Sequence, residues 1–161
     1  MREYEEILSR QRAYFCEGHT RFLSFRLRQL SLLQNALHAC EPALLEALQA
    51  DLGKAPFEGY ETELGLLLEE LRFAKKNLAS WMKPVRVRTS LLHAPSKSVI
   101  VKEPLGVVLI LSPWNYPLQL TIAPLIAALA AGNCAVIKPS AYAPRTSQLI
   151  ADLIAACFPP E

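Results

Sequence analysis

No glycine-rich phosphate-binding motif occurs anywhere in the 161 residues. Neither G-x-G-x-x-G nor G-x-x-x-x-G-K-[ST] is present, and the chain has only six glycines. That excludes the ordinary dinucleotide fingerprint and the P-loop, where glycine lets backbone N–H groups approach a phosphate closely. Histidine is as scarce. His19, His38 and His93 build no H-E-x-x-H, and Cys16, Cys40, Cys134 and Cys157 form no C-x-x-C pair. Zinc-finger and zinc-protease spacings are therefore missing, no metal site is expected, and the cysteines read as buried free thiols of a reducing, cytoplasmic setting. The opening MREYEEILSR mixes charges and lacks the apolar core of a secretory signal. A net charge of +2 is too small to imply nucleic acid.

The placement of charge says more than its sum. Eight acidic residues and one lysine lie between Glu41 and Glu70, then eight basic residues and no acidic one between Arg72 and Lys102. From Pro104 to Ile137, 34 residues carry no formal charge. A membrane span is one way to read such a block, but Pro113, Pro117 and Pro124 interrupt it, and Asn115, Gln119 and Asn133 are polar within it.

The first half reads as helix. An amphipathic stretch runs from Arg2 to about Cys16, with Gly18 as its stop. Thr20 is placed to cap a second helix, whose buried face is expected to include Phe22, Phe25, Leu27, Leu30 and Leu33. Glu41-Pro42 opens a third helix that closes at Gly53. A fourth runs from about Phe57 to Trp81 and ends at Pro84. Val85–Arg88 and Ser98–Lys102 read as strands of a hairpin or extended ribbon around a turn at His93–Ser96, their positive charge suiting a solvated edge.

The neutral block resolves into strand, turn, helix and strand. Leu105–Leu111 is a continuous apolar run that suits a parallel strand buried on both faces. Ser112–Pro117 is turn chemistry, and Leu118–Ala131 is helical with Pro124 inside it. Gly132-Asn133 stops the helix, Cys134–Ile137 is a second strand, and Thr146–Phe158 is a further amphipathic helix. The order β-α-β-α predicts a right-handed parallel crossover. The predicted fold class is thus α/β, a helical lead-in followed by the first, incomplete part of a Rossmann-like parallel sheet.

Ligands of such sheets bind beyond the carboxyl ends of the strands. Those ends carry S-P-W-N-Y-P (Ser112–Pro117) and K-P-S (Lys138–Ser140), which makes them the candidate site. Asn115 reads first as a turn residue and second as an amide donor to an oxyanion. Lys138 suits a hydroxyl or phosphate as well as a solvated strand end. Trp114 and Tyr116 suit packing as well as a pocket wall.

The segment E-P-L-G-V-V-L-I-L-S-P-W-N-Y-P-L (Glu103–Leu118), followed by A-A-G-N-C-A-V-I-K-P-S (Ala130–Ser140), resembles the aldehyde dehydrogenase superfamily. R-F-L-S-F-R-L-R-Q-L (Arg21–Leu30) and A-D-L-G-K (Ala50–Lys54) resemble its class 3-type branch. The likeness runs over essentially the whole chain. It implies oxidation of aldehydes to carboxylic acids through a cysteine thiohemiacetal, with NAD or NADP as hydride acceptor, in a homodimer or larger homo-oligomer. By the same likeness Asn115 is the oxyanion donor, and Ser112, Pro113, Trp114, Lys138 and Ser140 hold the cofactor. Tyr116 then lies by the substrate pocket.

Two departures qualify the likeness. The family commonly has Glu after K-P-S, where this chain has Ala141, so weaker discrimination against NADP is expected. The family's G-S-x-x-x-G loop, its general-base Glu and its nucleophilic Cys lie downstream of the matching region, and none of the four cysteines here stands in the nucleophile's motif. The expected division is 1–84 for the helical part, 85–103 for an oligomerisation ribbon and 104–161 for the start of the cofactor domain. As a separate product the chain is expected to associate or aggregate, either as an enzyme fragment or as a non-catalytic module pairing with a full-length dehydrogenase. Membrane anchoring of an intact enzyme is left open.

Overall fold

Leucines three and four residues apart organise the first half, and the computed structural model describes residues 2–159. Helix α1 (Arg2–Cys16) is followed by a 3₁₀ turn at His19–Arg21. Then come α2 (Leu23–Ala39), α3 (Glu41–Leu52), a short α4 (Pro56–Gly59), a π-helical turn at Tyr60–Leu64, and α5 (Gly65–Trp81). Leu30, Leu33, Leu37, Leu44, Leu48, Leu67, Leu71 and Leu78 are all buried in one cluster with Leu118 and Ile122. Each fully buried leucine contributes about 2 kcal/mol. Packing rather than helix propensity therefore holds these helices.

Strands β1 (Val85–Val87) and β2 (Ser98–Ile100) pair antiparallel, with Val85 opposite Ile100. This is the expected ribbon, and its Arg86, Arg88 and Lys97 are exposed. Beyond it lie β3 (Val107–Leu111), α6 (Gln119–Ala131), β4 (Cys134–Lys138) and α7 (Pro144–Cys157). Strands β3 and β4 run parallel in the register Val107↔Cys134 to Leu111↔Lys138, as the β-α-β-α order requires. Helix α7 packs on α2 and α3, and α6 packs on α2 and α5, so the helical half covers one side of this crossover.

Five expectations need correction. Thr20 caps no helix. It lies inside the 3₁₀ turn with its hydroxyl buried and unpaired, while α2 starts after Phe22 without a side-chain cap. Phe22 stands outside the helix and is 64% exposed, so the buried stripe of α2 runs instead through Arg26, Gln29, Leu30, Leu33 and Leu37. The helix expected from Phe57 to Trp81 is interrupted by the π-helical turn. Strand β3 is not buried on both faces: Ile110 is buried, but Leu109 and Leu111 are 62% and 64% exposed, because β4 and α6 cover only part of it. The cysteines also divide, Cys134 being buried, Cys40 and Cys157 partly so, and Cys16 exposed.

The accessible surface is 10143 Å², against about 8,000 Å² for a compact monomer of this mass. Exposed apolar side chains occur on β3, at Leu109 and Leu111, and in the ribbon, where Leu91 and Leu92 are each 92% exposed, as well as on the helices, at Phe57 and Phe73.

Candidate active-site turns at the strand ends

Parallel pairing puts both strand-end turns on one edge of the sheet. Leu111 lies beside Lys138, and the Ser112 N–H donates to the Lys138 carbonyl at 3.2 Å. The two turns therefore start side by side, at Ser112 and Lys138. Trp114 is 52% exposed, and Asn115, Tyr116 and Lys138 are also exposed. The Ser112 hydroxyl is buried without a hydrogen-bond partner. Ser140 is buried: its hydroxyl oxygen accepts from the Tyr142 N–H at 3.2 Å, and its carbonyl accepts from the Ser147 hydroxyl at 2.7 Å.

The helices that follow these turns lack caps of their own. Carboxylates from the helical half supply them. Glu63, fully buried, accepts from the Leu118 N–H at 2.9 Å and the Gln119 N–H at 3.1 Å at the start of α6. Asp51 accepts from the Arg145 N–H at 3.2 Å, the Thr146 N–H at 2.7 Å and the Thr146 hydroxyl at 2.8 Å at the start of α7. A helix N-terminus is a ready anion site. Both nearest the strand ends are already taken by protein carboxylates, which agrees with the missing glycine loop.

Glu63 is in turn paired with Lys54, whose Nζ lies 2.5 Å from Glu63 Oε1. The same Nζ donates to the Asn115 carbonyl at 3.3 Å and sits 4.0 Å from the centroid of the Tyr116 ring. The π-helical turn aims Glu63 inward, and Gly65 lets it close, since a Cβ there would stand 3.0 Å from the Tyr60 carbonyl oxygen. At the other end of α6, Arg26 donates from Nη1 to the Ala130 carbonyl at 3.1 Å and from Nε to the Thr20 carbonyl at 2.8 Å. Gly132 follows in the left-handed region at φ 86°, and any Cβ there would collide with the Arg26 guanidinium. Burial pulls the Arg26 pKa down from its ordinary value, yet a guanidinium remains charged. Asn133 Oδ1 accepts from the Gly106 N–H at 2.9 Å, which fixes the entry to β3.

Sequence reasoning singled out residues of the turns and missed Glu63 and Asp51 at the starts of α6 and α7 and Arg26 at the far end of α6. The available signal was only that two helix starts carry no cap of their own, while the acidic residues that supply the caps lie 55 or more positions earlier in sequence. Among the described thiols, burial pushes the Cys134 pKa up, and burial together with Cys40 pushes up that of Cys157. Neither suits a nucleophile, which must be a thiolate. A cavity of about 450 Å³ lies among α1, α2, β4, α6 and α7 and reaches the second turn only at Pro139. No helix among the described residues is long and apolar enough to cross a membrane.

The aldehyde dehydrogenase family model matches residues 3–161, and the chain belongs to that family, in its class 3-type branch. It is 46% identical over 147 residues to 4,4'-diaponeurosporen-aldehyde dehydrogenase of Staphylococcus aureus, covering 91% of this chain and 32% of that one. To mouse aldehyde dehydrogenase family 3 member B3 it is 44% identical over 151 residues, covering 94% of this chain and 32% of that one. The structure of substrate-bound Staphylococcus aureus AldH superposes with a TM-score of 0.95 at 44% identity, over 98% of this chain and 34% of that one. The chain thus spans about a third of the length of these relatives.

Proposed function

We propose that this chain forms the opening third of a cytoplasmic, NAD(P)-dependent aldehyde dehydrogenase, which oxidises aldehydes to carboxylic acids. The observation that carries the reading is that S-P-W-N-Y-P and K-P-S start side by side on one sheet edge, inside a chain 46% identical to an aldehyde dehydrogenase. Asn115 has an exposed side chain at the tip of the turn, free to donate its amide N–H groups. Its role is to stabilise the oxyanion that develops when a thiolate attacks the aldehyde carbonyl. The thiolate and the group that activates water come from outside residues 1–161. Tyr116, on the same turn, borders the aldehyde.

The residues present fit a nicotinamide cofactor. The orphaned Ser112 hydroxyl, the exposed Trp114 face and the Lys138 ammonium share the strand-end edge with Pro113 and Ser140. Lys138 has three donors for ribose hydroxyls. When bound, the nicotinamide accepts hydride from the substrate carbon. With Ala141 exposed after K-P-S, no carboxylate at that position repels a 2′-phosphate, so NADP is accepted beside NAD. The parts 1–84, 85–103 and 104–161 serve as helical support, dimerisation ribbon and start of the cofactor domain.

The test is to express the protein encoded by the whole reading frame that contains these residues and to follow NADH and NADPH formation with aldehydes. Asn115→Ala is expected to lower kcat by about 10²–10³. A wild type that reduces neither cofactor in the presence of aldehydes refutes the proposal. A second reading rests on the exposed ribbon, where Val99, Ile100 and Val101 are all exposed. In it the chain is a non-catalytic module that pairs with a full-length dehydrogenase. Co-purification with such a subunit, without aldehyde-dependent cofactor reduction of its own, selects that reading.

A further inference from the structure

The turn that carries Asn115 is exposed on its outer side and is held from within by one buried charged pair. Glu63 is 0% and Lys54 8% exposed. Between them they touch residues 115, 116, 118 and 119. Lys54 Nζ reaches the Asn115 carbonyl and the Tyr116 ring, and Glu63 Oε2 takes the Leu118 and Gln119 N–H groups. Two of the three ammonium donors go to the carboxylate and the carbonyl, and the remaining face of the cation lies over the aromatic ring.

An ion pair removed from water is a poor device for stability alone. Well-packed apolar residues of the same volume usually do as well or better. Apolar residues cannot, however, supply acceptors to two backbone N–H groups and a donor to a carbonyl at once. This pair therefore fixes the path of the backbone on both sides of Pro117, and with it the direction in which the Asn115 side chain leaves the turn.

We infer that Lys54 and Glu63 are positioning residues for the Asn115 amide, setting the geometry of the oxyanion site without touching substrate. The inference rests on the reading of Asn115 given above. Catalysis is sensitive to such placement, a shift of about 1 Å costing up to roughly 10²-fold. Loss of the pair should therefore appear in kcat, while the surfaces that bind aldehyde and cofactor stay in place.

The test uses the enzyme from the whole reading frame and compares Lys54→Met/Glu63→Gln with wild type. The double variant removes both charges and keeps an acceptor for the α6 N–H groups, so it avoids a lone buried ion. Leu37→Ala, a core truncation that removes no polar contact of the turn, serves as the control for destabilisation alone. The expected result is a fall in kcat of about tenfold or more per folded molecule. KM for aldehyde and cofactor should stay within about threefold, and Leu37→Ala should retain the wild-type kcat per folded molecule. A double variant with wild-type kcat overturns the inference and leaves the proposed function standing. So does a loss that only tracks the folded fraction, as in Leu37→Ala. An inactive wild type removes both.

Discussion

Helices α6 and α7 follow equivalent turns of the same crossover, yet they are held very differently. Helix α6 meets a buried charge from the helical half at each end: the Glu63 carboxylate at its N-terminus and the Arg26 guanidinium on its last turn. Both signs complement the helix dipole. Among the described residues helix α7 has only Asp51, which is partly exposed and has no buried cation beside it, and no charge from the helical half meets its last turn. The difference follows chemistry. The turn before α6 carries Asn115, proposed to act on the reacting carbonyl, whereas the turn before α7 carries Lys138, proposed to hold a ribose. A group that stabilises a developing charge must be placed more tightly than one that binds a ground-state hydroxyl.

If that contrast is real, breaking the α6 locks should cost most. Glu63→Ala leaves Lys54 buried without its partner and orphans the N–H groups of Leu118 and Gln119. Loss of one member of a buried pair costs about 3–5 kcal/mol, read as a lower urea midpoint. A loss no larger than that of an exposed charge would show the pair to be solvated and end the comparison. At the other end of the helix, Gly132→Ala must adopt φ 86° and displace Arg26 from the Ala130 carbonyl. The left-handed conformation costs about 1–2 kcal/mol, and the lost charged hydrogen bond a similar amount. A total of about 3 kcal/mol is expected by the same measurement, and a change below about 1 kcal/mol would remove Arg26 from the set of locks.

The contrast also explains what the sequence made legible. The order of elements, the ribbon and the parallel crossover were readable because periodicity, proline and glycine report local structure directly. Ser112–Tyr116 and Lys138–Ser140 were readable because polar and aromatic residues at the ends of apolar strands stand out. Glu63, Asp51 and Arg26 were not. Each acts across 55 to 104 positions of sequence, and a glutamate within an acidic block looks like a solvated helix face until packing buries it. The π-helical turn that aims Glu63 inward leaves no mark in the leucine spacing. The expectation of a doubly buried β3 failed for a related reason. An apolar strand announces that it will be covered, but the described residues cover only part of it.

The α7 side gives smaller and more selective effects. Ala141→Glu places a carboxylate beside Lys138 on the turn proposed to meet the ribose. It should raise the NAD over NADP ratio of kcat/KM by about tenfold, equivalent to about 1.4 kcal/mol, with little change in stability. An unchanged ratio would mean that this turn does not meet the ribose, and the division of labour between the two turns would lose its second half.

The smallest effect is expected at Asp51. Asp51→Ala removes three hydrogen bonds from the start of α7, a loss that at first looks larger than that at Glu63. Two features reduce it. Asp51 is partly exposed and Arg145 is exposed, so water can replace the carboxylate at the freed Arg145 N–H, and no buried cation is left behind. Removal of a helix cap in such a setting costs about 1 kcal/mol. Thr146 is fully buried, and its hydroxyl would lose the partner recorded for it, which sets a lower bound above zero. The decisive measurement is therefore the ratio of the two losses in one protein. Glu63→Ala should lower stability about three to four times as much as Asp51→Ala. Equal losses would mean that burial and ion pairing add nothing to the first cap, and that the two turns are held alike.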